Sequence, residues 1–204
     1  MRWVKDGPDI PLELVRAVEE GRLVFFCGAG VSQQAGLPSF KGLVEAVYGK
    51  LQRQRDLYPL EQKAFDEGNY DQVFANLERA VGNPALVREK VAEALQLREG
   101  ADTGTHDALL RLSTDARGVC RLVTTNYDLA FSRVKDPSTR IDYAPRLPVP
   151  KPRRWNSVVH LHGFLQDCGE DNEDLVLSSA DFGAAYLARI SHQTDSLSEG
   201  GECK

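Results

Sequence analysis

Three short stretches of this 204-residue chain gather residue types that could bind or break polar covalent bonds. In the first, "LVFFCGAGVSQQAGLPSF", an apolar run ends in Gly28-Ala29-Gly30, followed by Ser32. A strand that enters a turn this way puts backbone N–H groups at its carboxyl edge, where phosphate binds and glycine lets a ligand approach. The pattern is not the usual G-x-G-x-x-G, and a packing turn without a ligand remains the alternative. The second stretch, "TTNYD", sets Thr125, Asn126 and Asp128 after another apolar run. They face a ligand crevice if that run is a parallel strand, or else make a turn and a helix cap. The third, "VVHLHGF", holds His160 and His162, which share one face if the strand continues through both. A metal site would need a third ligand that the sequence does not supply nearby. That leaves His160 as a core or supporting group and His162, beside Gly163, as a general base titrating near neutrality.

The elements that must position these residues alternate in type. "PLELVRAVEE" has a helical stripe of Leu12, Val15 and Val18, with Asp9 as a cap and Pro11 in the first turn. Leu23 to Cys27 reads as a fully buried parallel strand. "FKGLVEAVYGKLQRQ" returns to helical periodicity, and two or three amphipathic helices follow between Pro59 and Leu97. Their charges read as a solvated face. A helix around His106 to Leu112, a strand "CRLVTTN" and a helix from Asp128 come next. The proline-rich segment from Lys135 to Asn156 reads as irregular; "SVVHLHGF" and "LVLSS" read as strands and "ADFGAAYLARI" as a helix. The expectation is an α/β fold, a Rossmann-like, mainly parallel sheet with a small helical insertion at about residues 55–100. One domain would span 1–190, with 191–204 a disordered tail.

Composition narrows the function classes. A net charge of −5 argues against direct nucleic-acid contact, since a phosphate backbone rewards a basic footprint. No apolar run approaches the roughly 20 residues of a membrane helix, and the first residues lack the design of a signal peptide. A cytoplasmic protein without membrane contact is the expectation. The four cysteines, Cys27, Cys120, Cys168 and Cys203, form no CxxC pair, so no zinc site is expected and Cys27 reads as a buried thiol. "RVKDPSTRIDYAPRLPVPKPRR" is locally basic and reads as a solvated loop or as a contact for phosphates or an acidic partner.

Taken together, the three stretches resemble the sirtuin family. The resemblance rests on Gly28-Ala29-Gly30 with Ser32, Gly36, Pro38 and Phe40, then Thr125-Asn126-Tyr127-Asp128, then Leu161-His162-Gly163. "LVLSSADFGAAYL" and "HDALLRLSTDARGVCRLVTTNYDLAF" are similar to the zinc-free, sirtuin-like NAD-consuming proteins of bacterial antiphage defence. The resemblance implies NAD as the substrate. Gly28, Ala29, Gly30 and Ser32 would hold its pyrophosphate and nearby ribose, and Pro38 and Phe40 would belong to a flap over the nicotinamide. Asn126 would orient the ribose or the attacking water, Asp128 would meet the carboxamide, and His162 would bond a ribose hydroxyl. Asn126 and His162 are the expected catalytic pair.

Departures from the family pattern shape the expected activity. Protein-deacylating sirtuins carry a four-cysteine zinc module after the His-Gly motif, whereas only Cys168 follows Gly163 before the final helix. Lys41 stands where the deacylases have arginine. Water then becomes the acceptor, and the expected reaction is hydrolysis of NAD to nicotinamide and ADP-ribose. No further strand is read after Ile190, as in a truncated or naturally shortened form. That keeps two alternatives open: an NAD- or ADP-ribose-binding subunit without turnover, and an NAD-dependent deacylase. Control would fall to a homo-oligomer or to a partner sensor protein.

Overall fold

The computed structural model describes residues 5–55, 58–148, 155–166 and 172–185. It divides into two compact units, one of Met1–Leu37 with Gln96–Phe164 and one of Pro38–Leu95 with Leu165–Lys204.

The first unit is built on a parallel sheet. Its strands are β1 (Phe25–Cys27), β2 (Arg121–Thr124), β3 (Arg140–Tyr143) and β4 (Ser157–His160), in the order β1-β2-β4-β3. β2 and β4 are buried at every position, as parallel strands covered on both faces must be. Around them Cys27, Leu110, Cys120, Leu122, Phe131 and Val158 make one core cluster. The helices of this unit are α1 (Leu12–Glu19), α6 (Gly104–Ser113) and α7 (Ala130–Val134). Pro11, rather than Asp9, stands at the N-cap of α1. Gly21 ends that helix at φ +64°, and a Cβ there would sit 2.6 Å from Asp115 Oδ2. Arg121, although buried, donates to the Gly21 carbonyl at 2.9 Å, which fixes the entry into β1.

Three expectations about strands need correction. β1 is shorter than Leu23–Cys27 and not fully buried: Phe26 is 67% exposed. Among the described residues β1 is an outer strand, so only one edge and one face are covered. Within the segment expected to be irregular, Arg140–Tyr143 forms β3, parallel to β4. "LVLSS" is not a strand, although Leu175, Val176 and Leu177 are buried. The N–H groups of Leu177 and Ser178 donate to the Asp181 carboxylate instead of to a neighbouring strand.

The second unit holds α2 (Phe40–Lys50), α3 (Pro59–Asp66), α4 (Tyr70–Val81) and α5 (Pro84–Ala94), with residues 179–185 also helical. Ser39 caps α2 by accepting from Gly42 N–H, and Asn83 caps α5 by accepting from Leu86 N–H, with Pro84 in its first turn. Val44, Val47, Val73, Phe74, Leu77, Val87 and Val91 are completely buried. Not every charge of these helices is solvated, contrary to expectation. Glu61 is buried against the Tyr48 hydroxyl and Arg53. Buried Arg88 joins Glu78 to Asp181, and burial pushes the Glu78 carboxyl above its ordinary value against the pull of that arginine. The expected tail at 191–204 lies outside the described residues.

Removing Arg88 strands two carboxylates that water reaches poorly. Arg88→Leu is expected to lower stability by about 3 kcal/mol in urea unfolding. Lys63→Ala, at an exposed pair with Glu67, is expected to change it by less than about 0.5 kcal/mol.

Candidate functional site

Parallel pairing in register brings the strand ends to one edge. Cys27 is opposite Thr124, and Thr124 and Tyr143 are each opposite His160. The ladder runs one step further on each side of β2: Thr125 N–H donates to the Cys27 carbonyl (3.1 Å) and Leu161 N–H to the Thr124 carbonyl (2.9 Å). The segments that begin at Gly28, Thr125 and Leu161 therefore leave the sheet side by side. Ligands of open α/β sheets bind outside this carboxyl edge.

Gly28 is extended, and Ala29–Ser32 form a 3-10 helix whose first internal bond runs from Val31 N–H to the Gly28 carbonyl at 3.1 Å. The N–H groups of Ala29 and Gly30 precede that bond. A Cβ at Gly28 would meet only Thr125 Oγ1, at 3.7 Å, and one at Gly30 would meet nothing within 4 Å. Neither glycine has a left-handed backbone. Among the described residues nothing demands glycine at these two positions, and the space beside Gly30 is open to a ligand.

Ser32 is 1% exposed and is the centre of the site's hydrogen bonds. Its Oγ donates to Asp128 Oδ2 at 2.8 Å and accepts from Asn126 Nδ2 at 2.9 Å. The same amide nitrogen donates to the Gly28 carbonyl at 3.2 Å, which decides the amide's orientation, since a carbonyl only accepts. Both Asn126 amide protons are thus used within the protein, and Oδ1 is left to receive a donor. Asp128 also accepts from Ala130 N–H at 3.0 Å, so its carboxylate serves the start of α7 and the site at once. Thr124 Oγ1 accepts from Asn126 N–H at 3.1 Å.

His160 lies directly under this turn. It is completely buried, and its Nδ1 donates to the Asn126 carbonyl at 2.7 Å, which fixes the neutral tautomer with a bare, unpartnered Nε2. Burial lowers its pKa to about 4. β4 ends at His160, so the strand alternation does not extend to His162, which sits in the following turn. His162 is half-buried beside the Tyr127 ring (6.3 Å between centroids), and burial lowers its pKa.

The structure joins Gly28, Ser32, Asn126 and Asp128 by direct bonds, with His162 on the neighbouring turn. Pro38 and Phe40 belong to the second unit, where the Phe40 ring packs 5.8 Å from Tyr70 and from Phe74. One residue that sequence reasoning used only to bound a helix also enters the network. His106, completely buried on α6, places Nε2 3.1 Å from Ser32 Oγ. Its signal was available: it is a polar residue on the apolar face that Leu110 and Ser113 continue. Cys27 and Cys120 are buried free thiols, and among the described residues no group of three or more His, Cys, Asp or Glu side chains could hold a metal. Among those residues no helix is long and apolar enough to cross a membrane.

Residues 121–199 match the family model of the SIR2-like domain, a span that contains Asn126, Asp128 and His162. The uncharacterized protein y4cA of Sinorhizobium fredii is 40% identical over 92% of this chain, which spans 16% of that protein. The NAD-dependent protein deacetylase hst4 of Emericella nidulans is 27% identical over 71% of the chain and 22% of its own length. Its namesake in Schizosaccharomyces pombe is 27% identical over 75% of the chain and 34% of its own length. The chain thus spans about a third or less of each of these relatives.

Because His160 is held neutral in the fold, the unfolded chain takes up its proton first as the medium is acidified. Its folded pKa of about 4 lies below the ordinary 6.5, so stability falls as pH drops through that window. Between pH 7 and pH 5 this group is expected to remove about 2 kcal/mol from urea-unfolding stability. In His160→Asn, which keeps a donor for the Asn126 carbonyl, the difference between the two pH values should shrink by that amount.

Proposed function

We propose, from the match of residues 121–199 to the SIR2-like domain, that this sirtuin-like chain binds NAD at the carboxyl edge of its sheet and hydrolyses it to nicotinamide and ADP-ribose. The observation that carries this reading is the convergence of Gly28, Ser32, Asn126 and Asp128 into one hydrogen-bonded group, with glycine at 28 and 30 where no contact among the described residues requires it. The open backbone at Gly28 and Gly30 suits a pyrophosphate. Asn126 Oδ1, its amide protons already taken, suits a hydroxyl or a water as donor. Half-buried His162, its pKa lowered by burial, suits the role of a neutral base or acceptor.

In the reaction, the bond between ribose C1′ and the nicotinamide nitrogen breaks, and its electron pair neutralises the pyridinium. Water adds through oxygen to C1′ and gives up a proton. The leaving group needs no acid, so the work of the site is to hold the ribose, place the water and stabilise charge at C1′. That Cys168 is the only cysteine between Gly163 and the helix at 179–185 supports water rather than a zinc-organised acyl-lysine site as acceptor. A second reading, NAD-dependent deacylation, is favoured by the names of the two fungal relatives. The setting we infer is cytoplasmic bacterial antiphage defence, with control by self-assembly or by a partner sensor protein.

Incubation with NAD, with and without an acetyl-lysine peptide, separates the readings. Hydrolysis predicts nicotinamide release without peptide, lowered about 100-fold or more in His162→Ala and Asn126→Ala. Release only with peptide selects the deacylase. NAD binding by calorimetry with no release leaves a binding module and removes the hydrolase.

A further inference from the structure

A hydroxyl group has one proton and two lone pairs, and the contacts of Ser32 can be counted against that inventory. Its proton goes to the Asp128 carboxylate, which only accepts. One lone pair receives the Asn126 amide proton, whose donor role the Gly28 carbonyl has already decided. The one place left, opposite His106 Nε2 at 3.1 Å, is a lone pair. His106 must therefore donate from Nε2, and its Nδ1 carries no proton. That assignment accounts for a second fact: His106 Nδ1 is buried without a hydrogen-bond partner. A bare acceptor is the less costly orphan, and a buried imidazole keeps only one proton when burial lowers its pKa, as it does here despite the nearby Asp128 charge. The Phe131 ring, edge-on at 4.8 Å, holds the imidazole plane.

We propose that His106 is a positioning residue: its Nε2–H fills the last lone pair of Ser32 and so fixes the direction in which Ser32 holds Asp128 and Asn126. This rests on the reading that the group around Ser32 acts on NAD, but the tautomer itself does not depend on that reading. Without the His106 proton, the Ser32 hydroxyl regains a rotor position. It can then turn its own proton away from Asp128 or accept Asn126 from a different angle. His106 itself needs no contact with substrate; its effect passes through Ser32.

The tautomer is read first, in the full chain without ligand, from the imidazole nitrogen-15 shifts. A protonated Nε2 with a bare Nδ1 is expected, and in Ser32→Ala that preference should relax toward a mixture. A protonated Nδ1, or a mixture in the unaltered protein, overturns the proposal. The kinetic arm compares His106→Leu, His106→Gln, Ser32→Ala and the double variant His106→Leu/Ser32→Ala, each checked for folding by thermal melting. His106→Leu is expected to lower kcat about 10-fold or more with KM changed less than about 3-fold. The Gln variant, whose amide can donate from nearly the same point, should recover most of that loss. The double variant should be no slower than Ser32→Ala. Multiplying losses, or a Gln variant as slow as Leu, overturn the proposal. Should the unaltered protein release no nicotinamide with or without peptide, the reading of the site as one that turns over NAD falls, and the tautomer measurement alone decides for or against His106.

Discussion

A hydroxyl sealed from water must find all its partners inside the protein, and Ser32 finds three of them on two other segments. Asn126 and Asp128 come from the turn after β2, and His106 comes from α6. None of these contacts can be exchanged for solvent, so each partner's orientation follows from the others. The Asn126 amide cannot flip without putting its oxygen against the Gly28 carbonyl, and the Asp128 carboxylate cannot swing without releasing both Ser32 and the first N–H of α7. Such a group holds its shape because every alternative leaves a buried polar atom alone.

The sheet makes that closure possible. β1, β2 and β4 end level with one another, so the turns that follow start from a common line and meet within hydrogen-bond distance. Support also comes from below, where His160 holds the Asn126 carbonyl from within the core. The apolar residues of β2 and β4 are thus more than filling: they decide the height at which Asn126 emerges.

Much of this could be read from residue order, and the reasons for the exceptions are physical. Continuous apolar runs that stop at polar residues gave away β2 and β4. β3 escaped because Arg140-Ile141-Asp142-Tyr143 is half polar and framed by prolines, as an outer strand can be. "LVLSS" misled because an apolar run reports burial, while strand formation also needs a neighbour for the N–H groups, and here Asp181 takes them. At the site, the glycine turn, Asn126 and Asp128 were legible as types and spacing. The centrality of Ser32 was not, because it arises only when α6 brings His106 across. An isolated histidine on a helix face carries no mark of the serine it will meet.

Burial depresses the basicity of His106, His160 and His162 together, and that common direction gives the site a property none of them has alone. Histidines ordinarily make a protein surface responsive around neutrality. Burial holds these three toward the neutral form there, so the rings serve as hydrogen-bonding groups rather than as charges beside Asn126. The histidines thus leave Asp128 as the charged side chain in the hydrogen-bonded group around Ser32.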